Sequence, residues 1–357
     1  MVGSAIVNSA ARTAPWPAGT ATAVGSMPGT DPVEAARTVL GELPDLPHLP
    51  ELPARGLGAD LIGRAAGLLV SMPFESVPSG YRLTGRPGAD HRRAVDLHHR
   101  DLDGLDQALQ EAGHRPPLLK VQVAGPWTLA AGLELPRGHR VLTDQGALRD
   151  LTESLLEGLR EHLGELRSRT GADLVVQFDE PTLPAVLRGS LPTPSGYGTV
   201  SAVSEPDAVR LLHEVVETTR EVTGAPVFAH CCARRPPVRL FAEAGVDVVS
   251  FDAASLDGAD TAFWDELGET WDGGTRLALG LVPGTPPTGP LDLRSAAAPA
   301  LAVADRLGFA RPRLADLLVP ATACGLAGAT RDWARTALTL VRDLGRAFVE
   351  PPESWGG

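Results

Sequence analysis

The segment GADLVVQFDEP, residues 171–181, sets the unbroken aliphatic run Leu174-Val175-Val176 ahead of Gln177 and Phe178 and closes on Asp179-Glu180-Pro181. A short apolar run without polar alternation reads as a strand covered on both faces, the condition of strands in a parallel sheet. The same pattern recurs on both sides. Downstream it predicts strands at Pro226–His230, Val246–Phe251, Arg276–Leu281 and Leu317–Ala321, and upstream at Leu118–Ala124 and Ala21–Met27. A further strand is expected near Leu46–Pro53, blurred by its prolines.

Helical patterns separate these runs. Leu148, Leu151, Leu155, Leu159, Leu163 and Leu166 recur at three- and four-residue steps and form one apolar stripe. Ser204, Pro206 and Asp207 make a helix start, with Asp207 a shorter stand-in for the glutamate of a capping box. A last helix is expected from about Arg331 to Leu344. Alternating strand–helix units imply a parallel sheet, and around eight of them predict an α/β fold of the (β/α)8 TIM-barrel type. The expected organisation is one domain over 21–348, with a charged insertion at about 85–117 that holds a helix, Leu102–Glu111. A loosely ordered tail is expected at 1–20 and a C-terminal tail at 349–357.

Of the 357 residues, 43% are hydrophobic and 21% charged, the composition of a soluble globular chain. A net charge of -12 argues against a nucleic-acid partner. No apolar run approaches the ~18 residues of a membrane span. Residues 1–20 lack the basic start and compact apolar stretch of a secretory signal, so the expected location is the cytoplasm. The three cysteines, Cys231, Cys232 and Cys324, are odd in number and two are adjacent, a poor disulfide framework.

Barrel active sites form at the carboxyl ends of the strands. Chemically capable residues fall there: Ser26, Asp179-Glu180, His230-Cys231-Cys232, Asp252 and Cys324. His230 and Cys232 are two apart and point the same way at a strand end, whereas Cys231 points to the other side. One imidazole, two thiolates and the Asp252 carboxylate suit four-coordinate zinc. Each member also has a plainer reading: a structural histidine, packed cysteines, and Asp252 as a helix cap. Asp179 is either a partner for the ammonium of an amino-acid substrate or a helix-start carboxylate. Gly25-Ser26 is either a carboxylate-binding turn or an ordinary one. Trp127, in Gly125-Pro126-Trp127-Thr128, reads as core or rim.

Five motifs in order resemble the C-terminal catalytic barrel of cobalamin-independent methionine synthase, in the superfamily that includes uroporphyrinogen decarboxylase. They are Val24-Gly25-Ser26-Met27-Pro28, Gln177-Phe178-Asp179-Glu180-Pro181, His230-Cys231-Cys232, Phe251-Asp252 and Cys324-Gly325-Leu326. The resemblance runs from about Thr22 to the final helix. It implies zinc held by His230, Cys232 and Cys324, with Asp252 replacing a glutamate ligand. It gives Asp179, in its Asp-Glu-Pro setting with Glu180, the amino group of homocysteine, and Ser26 the carboxylate. The implied activity is methyl transfer to the zinc-activated thiol of homocysteine, giving methionine. The methyl donor would be a folate or a methyl-corrinoid, the latter with a corrinoid protein as partner.

Several family residues have no counterpart. A histidine after the seventh strand is missing from Gly280-Leu281-Val282-Pro283-Gly284-Thr285, the pterin-stacking tryptophan falls near Gly132, and a glutamate near Ala185. The second-strand glutamate that grips homocysteine falls near Arg55. The resemblance therefore keeps the zinc half of the site and loses most of the folate half. Two other readings stand beside it. One is a uroporphyrinogen decarboxylase-like enzyme, suggested by Gly125–Ala130. The other is a barrel that binds zinc and thiols without turnover.

Overall fold

The computed structural model describes residues 14–194 and 196–352. Its first half contains α1 (Pro32–Glu42), α2 (Leu61–Leu68), the antiparallel hairpin β1 (Phe74–Val77) and β2 (Gly80–Leu83), and α3 (Ala89–Ala112). Next come β3 (Leu118–Ala124), α4 (Pro126–Gly132), β4 (Leu133–Glu134), α5 (Gln145–Thr170), β5 (Asp173–Asp179), α6 (Leu183–Leu187) and α7 (Glu205–Thr223). The last third alternates β6 (Val227–His230), α8 (Val238–Glu243), β7 (Val248–Asp252), α9 (Thr261–Asp272), β8 (Arg276–Val282) and α10 (Leu293–Leu307). It ends with α11 (Leu314–Leu317), β9 (Leu318–Thr322) and α12 (Arg331–Val349).

Among the described residues the larger sheet has six parallel strands in the order β3-β5-β6-β7-β8-β9. Its register places Ala124 opposite Asp179, Asp179 opposite His230, and His230 opposite Ser250. The carboxyl ends of four strands are thereby level, so side chains far apart in sequence share one rim. Below that rim Leu174, Val176, Val249 and Leu279 are fully buried, consistent with strands covered on both faces.

The two first expected strands are not regular strands. Residues 46–53 touch β3 through Leu49 N–H to Lys120 O (2.8 Å) and Lys120 N–H to Pro47 O (2.8 Å). Residues 20–27 touch β9 through Thr22 N–H to Pro320 O (3.1 Å). The two segments meet at Ser26 and Glu51, where Met27 N–H donates to Glu51 O at 2.8 Å. Pro47, Pro50 and Pro53 have no N–H to give a ladder. Val24 diverts its backbone to side chains: its N–H donates to Thr322 Oγ1, and its carbonyl accepts from Lys120 and Gln177.

The helices follow their local signals. On α5, Leu151, Leu155, Leu159, Leu163 and Leu166 are buried, Asp144 caps the start, and Gly171 ends the helix in the left-handed region at φ 69°. Ser204 caps α7 by accepting from Asp207 N–H, and Asp207 turns its carboxylate back onto the Ser204 hydroxyl (2.7 Å). The helix expected at Leu102–Glu111 begins instead at Ala89, because its buried face includes His98 and Asp101, which break an apolar stripe. Of the expected tail at 1–20, residues 1–13 lie outside the described residues, as do 353–357 of the C-terminal tail. Trp16, by contrast, is buried with its ring 5.5 Å from that of Phe228. No described helix is long and apolar enough to cross a membrane.

Candidate active site

His230 closes β6, Cys232 lies two residues beyond, and Cys324 follows β9. One ligand atom from each of these three lies within 4.8 Å of the others. Cys232 and Cys324 are exposed and Cys231 is buried, the alternation expected of a strand end. His230 is 2% exposed; its Nδ1 lies 3.0 Å from Ser250 Oγ, while its Nε2 has no hydrogen-bond partner among the described residues. A buried ring nitrogen left open beside two thiols is what a metal-binding imidazole requires, with the other nitrogen fixed by a neighbour. The Cys324 thiol is held below its usual range, foremost by the neighbouring Cys232 thiol and then by the His230 ring, and Cys232 is pushed up in turn.

Asp252 stands outside this group. Its Oδ1 accepts from Ala254 N–H at 2.9 Å and caps the short turn after β7, the plainer of its two expected readings. An aspartate two bonds from its backbone is drawn to the nearest free amide, where the longer glutamate would reach further inward. Glu180 is also committed elsewhere. It is fully buried and accepts from Trp127 N–H (3.0 Å), Thr128 N–H (2.8 Å) and Thr128 Oγ1–H (2.7 Å), closing the N-terminus of α4. Trp127 is buried, with its indole Nε1–H 3.4 Å from Ala208 O.

Asp179 is buried beside the thiol group and accepts from Gln177 Nε2 at 2.7 Å. Burial, and the neighbouring Glu51 carboxylate, raise its carboxyl well above the usual range. Glu51 is likewise buried and raised, mainly by desolvation. Between them Lys120, fully buried in β3, donates to Val24 O (3.0 Å) and Gln177 Oε1 (2.6 Å), and desolvation pulls its ammonium down. Ser26 pairs with Glu51 along the backbone, and its Oγ packs where Gly325 has no side chain; a Cβ there would lie 2.0 Å from that oxygen.

Glu51 and Lys120 escaped the sequence reading. Lys120 interrupts an apolar run, and the prolines around Glu51 hid its segment. Arg55 sits beyond the extended segment, in the turn Pro53–Arg55, with its guanidinium on Asp101 (2.8 Å). Gly132, at the end of α4, packs against Ile62; a Cβ would meet Ile62 Cδ1 at 2.6 Å.

The parallel α/β sheet thus brings an imidazole and two thiols together at its carboxyl rim, a donor set of the kind that could hold a soft metal. The chain belongs to the family described as the cobalamin-independent synthase, catalytic domain, which it matches over residues 18–347. Two solved structures share its fold. One is a B12-independent methionine synthase from Shewanella sp. W3-18-1 in complex with selenomethionine (12% identity, TM-score 0.55, covering 92% of this chain and 97% of that one). The other is a methyltransferase from Methanosarcina mazei (18% identity, TM-score 0.52, covering 95% and 94%). No curated protein matches the chain.

Proposed function

We propose that this chain is a zinc-dependent S-methyltransferase that methylates the thiol of homocysteine to give methionine. The observation that carries the reading is the convergence of His230, Cys232 and Cys324 within 4.8 Å, in a chain that belongs to the synthase family. The three residues would hold zinc through Nε2 and two sulfurs. Zinc bound there would supply a Lewis acid that lowers the pKa of the substrate thiol and orients its sulfur.

The chain's own groups account for the rest of the substrate. Asp179 and Glu51 are buried carboxylates that share Lys120, and Glu51 also faces the Arg64 guanidinium at 3.6 Å. Asp179, beside the thiol group and without an arginine partner among the described residues, suits a substrate ammonium, which favours an amino acid over a plain thiol. Ser26 and the Gly325 backbone lie beside that pair and suit the substrate carboxylate. Residues 20–27 and 46–53, bonded to the sheet edges and to each other, support two further staves of a single-domain (β/α)8 barrel over 21–348. A cytoplasmic enzyme without membrane or nucleic-acid partners fits this chemistry. Gly132 offers no ring for stacking, which favours a methyl donor other than a stacked pterin.

The test is zinc content per chain, together with labelled-methyl transfer to homocysteine, in wild type and Cys324→Ser. About one zinc in wild type, markedly less in the variant, and loss of homocysteine affinity with it are expected. Wild-type protein that takes up no zinc on titration would overturn the reading.

A further inference from the structure

Asp179 is tied to the layer of side chains beneath it. Gln177 lies two residues earlier on β5 and so shares its face of the strand. Gln177 Nε2 donates to Asp179 Oδ1 at 2.7 Å and to Val24 O at 2.9 Å. Gln177 Oε1 accepts from Lys120 Nζ at 2.6 Å, and the same ammonium donates to Val24 O at 3.0 Å. Lys120 is 0% and Gln177 1% exposed, so water does not compete for these bonds. Lys120 forms no ion pair with Asp179 among the described residues; its grip on that carboxylate runs through the amide.

The donors and acceptors leave this amide one orientation. An ammonium only donates, so the Gln177 oxygen faces Lys120; a backbone carbonyl only accepts, so the Gln177 nitrogen faces Val24 and Asp179. Turning the amide over would set NH2 against the ammonium and oxygen against two oxygens, all out of reach of water. Asp179 is therefore held at Oδ1. Its carboxylate makes no other hydrogen bond among the described residues, and the residue is 5% exposed, which leaves Oδ2 to a ligand. The Val24 carbonyl extends the same lock to Gly25-Ser26, the next two residues of the chain, so the groups proposed for the two ends of an amino acid keep a fixed spacing.

We propose that Gln177, locked by Lys120, is a positioning residue that sets the choice of substrate: it fixes the Asp179 carboxylate so that Oδ2 meets the ammonium of an amino-acid thiol, and the site thereby selects such thiols over those without an amino group. The inference rests on the methyl-transfer reading above, in which Asp179 meets the substrate ammonium. Gln177 itself touches neither substrate nor metal. A carboxylate free to turn must be ordered when the ligand arrives, and that ordering weakens binding; one already held by a buried donor is not. The gain falls only on ligands that use Asp179, so it appears as selectivity.

The experiment is calorimetric titration of the full chain, supplied with zinc, with homocysteine and with 4-mercaptobutanoate, the same thiol acid without the amino group. Wild type should bind homocysteine tighter by roughly tenfold or more, since a site built around a polar group rejects the analogue that lacks it. Gln177→Met nearly keeps the length and removes the donor to Asp179. Its preference should fall to within about threefold, while zinc content and 4-mercaptobutanoate binding stay as in wild type. Gln177→Glu keeps the bond to Lys120 and serves where Gln177→Met does not fold; its second oxygen only accepts, so Asp179 again loses its donor. The added negative charge would by itself strengthen ammonium binding, so a fall in preference there has a positional cause. A folded variant that keeps the wild-type preference, or one that loads zinc and loses both thiols equally, overturns the proposal and leaves the methyl-transfer reading standing. If wild type binds both thiols equally, the ammonium contact at Asp179 falls and the proposal with it. If wild type binds neither thiol, the methyl-transfer reading falls as well.

Discussion

Ser250 Oγ lies 3.0 Å from His230 Nδ1 across the β6–β7 register, so the ring presents Nε2 to the two thiols. For Nε2 to accept a metal, Nδ1 must carry the proton and donate it to the Ser250 hydroxyl. Ser250→Ala frees the ring to rotate and to change tautomer. Zinc affinity should fall by roughly ten- to a hundredfold, as for other partners of metal-binding histidines, measured by competition with a chromophoric chelator. An unchanged affinity would show that the ring is oriented by packing alone.

Cys231 and Cys232 are neighbours with opposite fates. Burial pushes the Cys231 thiol up to about 12, so it stays protonated and packed, while Cys232 faces the site. Cys231→Ser should keep its zinc and lose about 1 kcal/mol of stability, since a buried hydroxyl replaces a small apolar group. Cys232→Ser should lose zinc with little change in the melting temperature of the metal-free chain. Metal analysis beside thermal melts separates the two.

Lys120 joins the interior polar groups. Lys120→Met strands Gln177 Oε1 and leaves Asp179 without its cation, while Glu51 keeps Arg64. A loss on the order of 3–5 kcal/mol is expected in urea denaturation, the scale for removing one partner of a buried charge set. Zinc content should not change.

Glu180→Ala removes three hydrogen bonds at the start of α4. Stability should fall on the order of 3 kcal/mol, because the first amides of the helix lose a buried charged acceptor. Homocysteine affinity, read by calorimetry, should be unchanged. A selective loss of that affinity would return Glu180 to the substrate site.

His162 is buried between α3 and α5 with its ring 5.5 Å from that of His98. Desolvation and the nearby Arg64 guanidinium lower it to about 3. Below about pH 6.5 the unfolded chain takes up a proton that the folded chain refuses, so stability is full above that pH and is lost as pH falls toward 3. At pH 5 the contribution amounts to about 2 kcal/mol. His162→Leu should flatten the stability profile between pH 6.5 and 5, and His98, lowered for the same reasons, should retain part of the slope.

What the sequence reveals follows from which signals are local. The His-Xaa-Cys spacing is a period-two pattern at a strand end, and it survives into the structure because neighbouring strands lock the pleat. The α5 leucine stripe is equally self-contained. Residues 20–27 and 46–53 were expected as strands from their apolar character, but ladder formation depends on available N–H groups and on Val24, whose carbonyl serves Lys120 and Gln177 instead. Asp252 and Glu180 sit where the motifs put them, yet nearby amides claim their oxygens. Lys120 and Glu51 could not be recognised as a set, because only the fold brings residues 51, 120 and 179 together.

The third member of the thiol group arrives on the chain 92 residues after Cys232, following β9. A growing polypeptide that has emerged only as far as α9 offers His230 and Cys232 but lacks the second sulfur that completes a tight grip on a metal. On the zinc reading proposed above, high-affinity loading would await the final strand, and the ion would then tie late-made chain to early-made chain. The centre would double as a clasp: metal capture would report that synthesis has run nearly to its end, and it would oppose the peeling away of β9, the strand at the edge of the regular sheet.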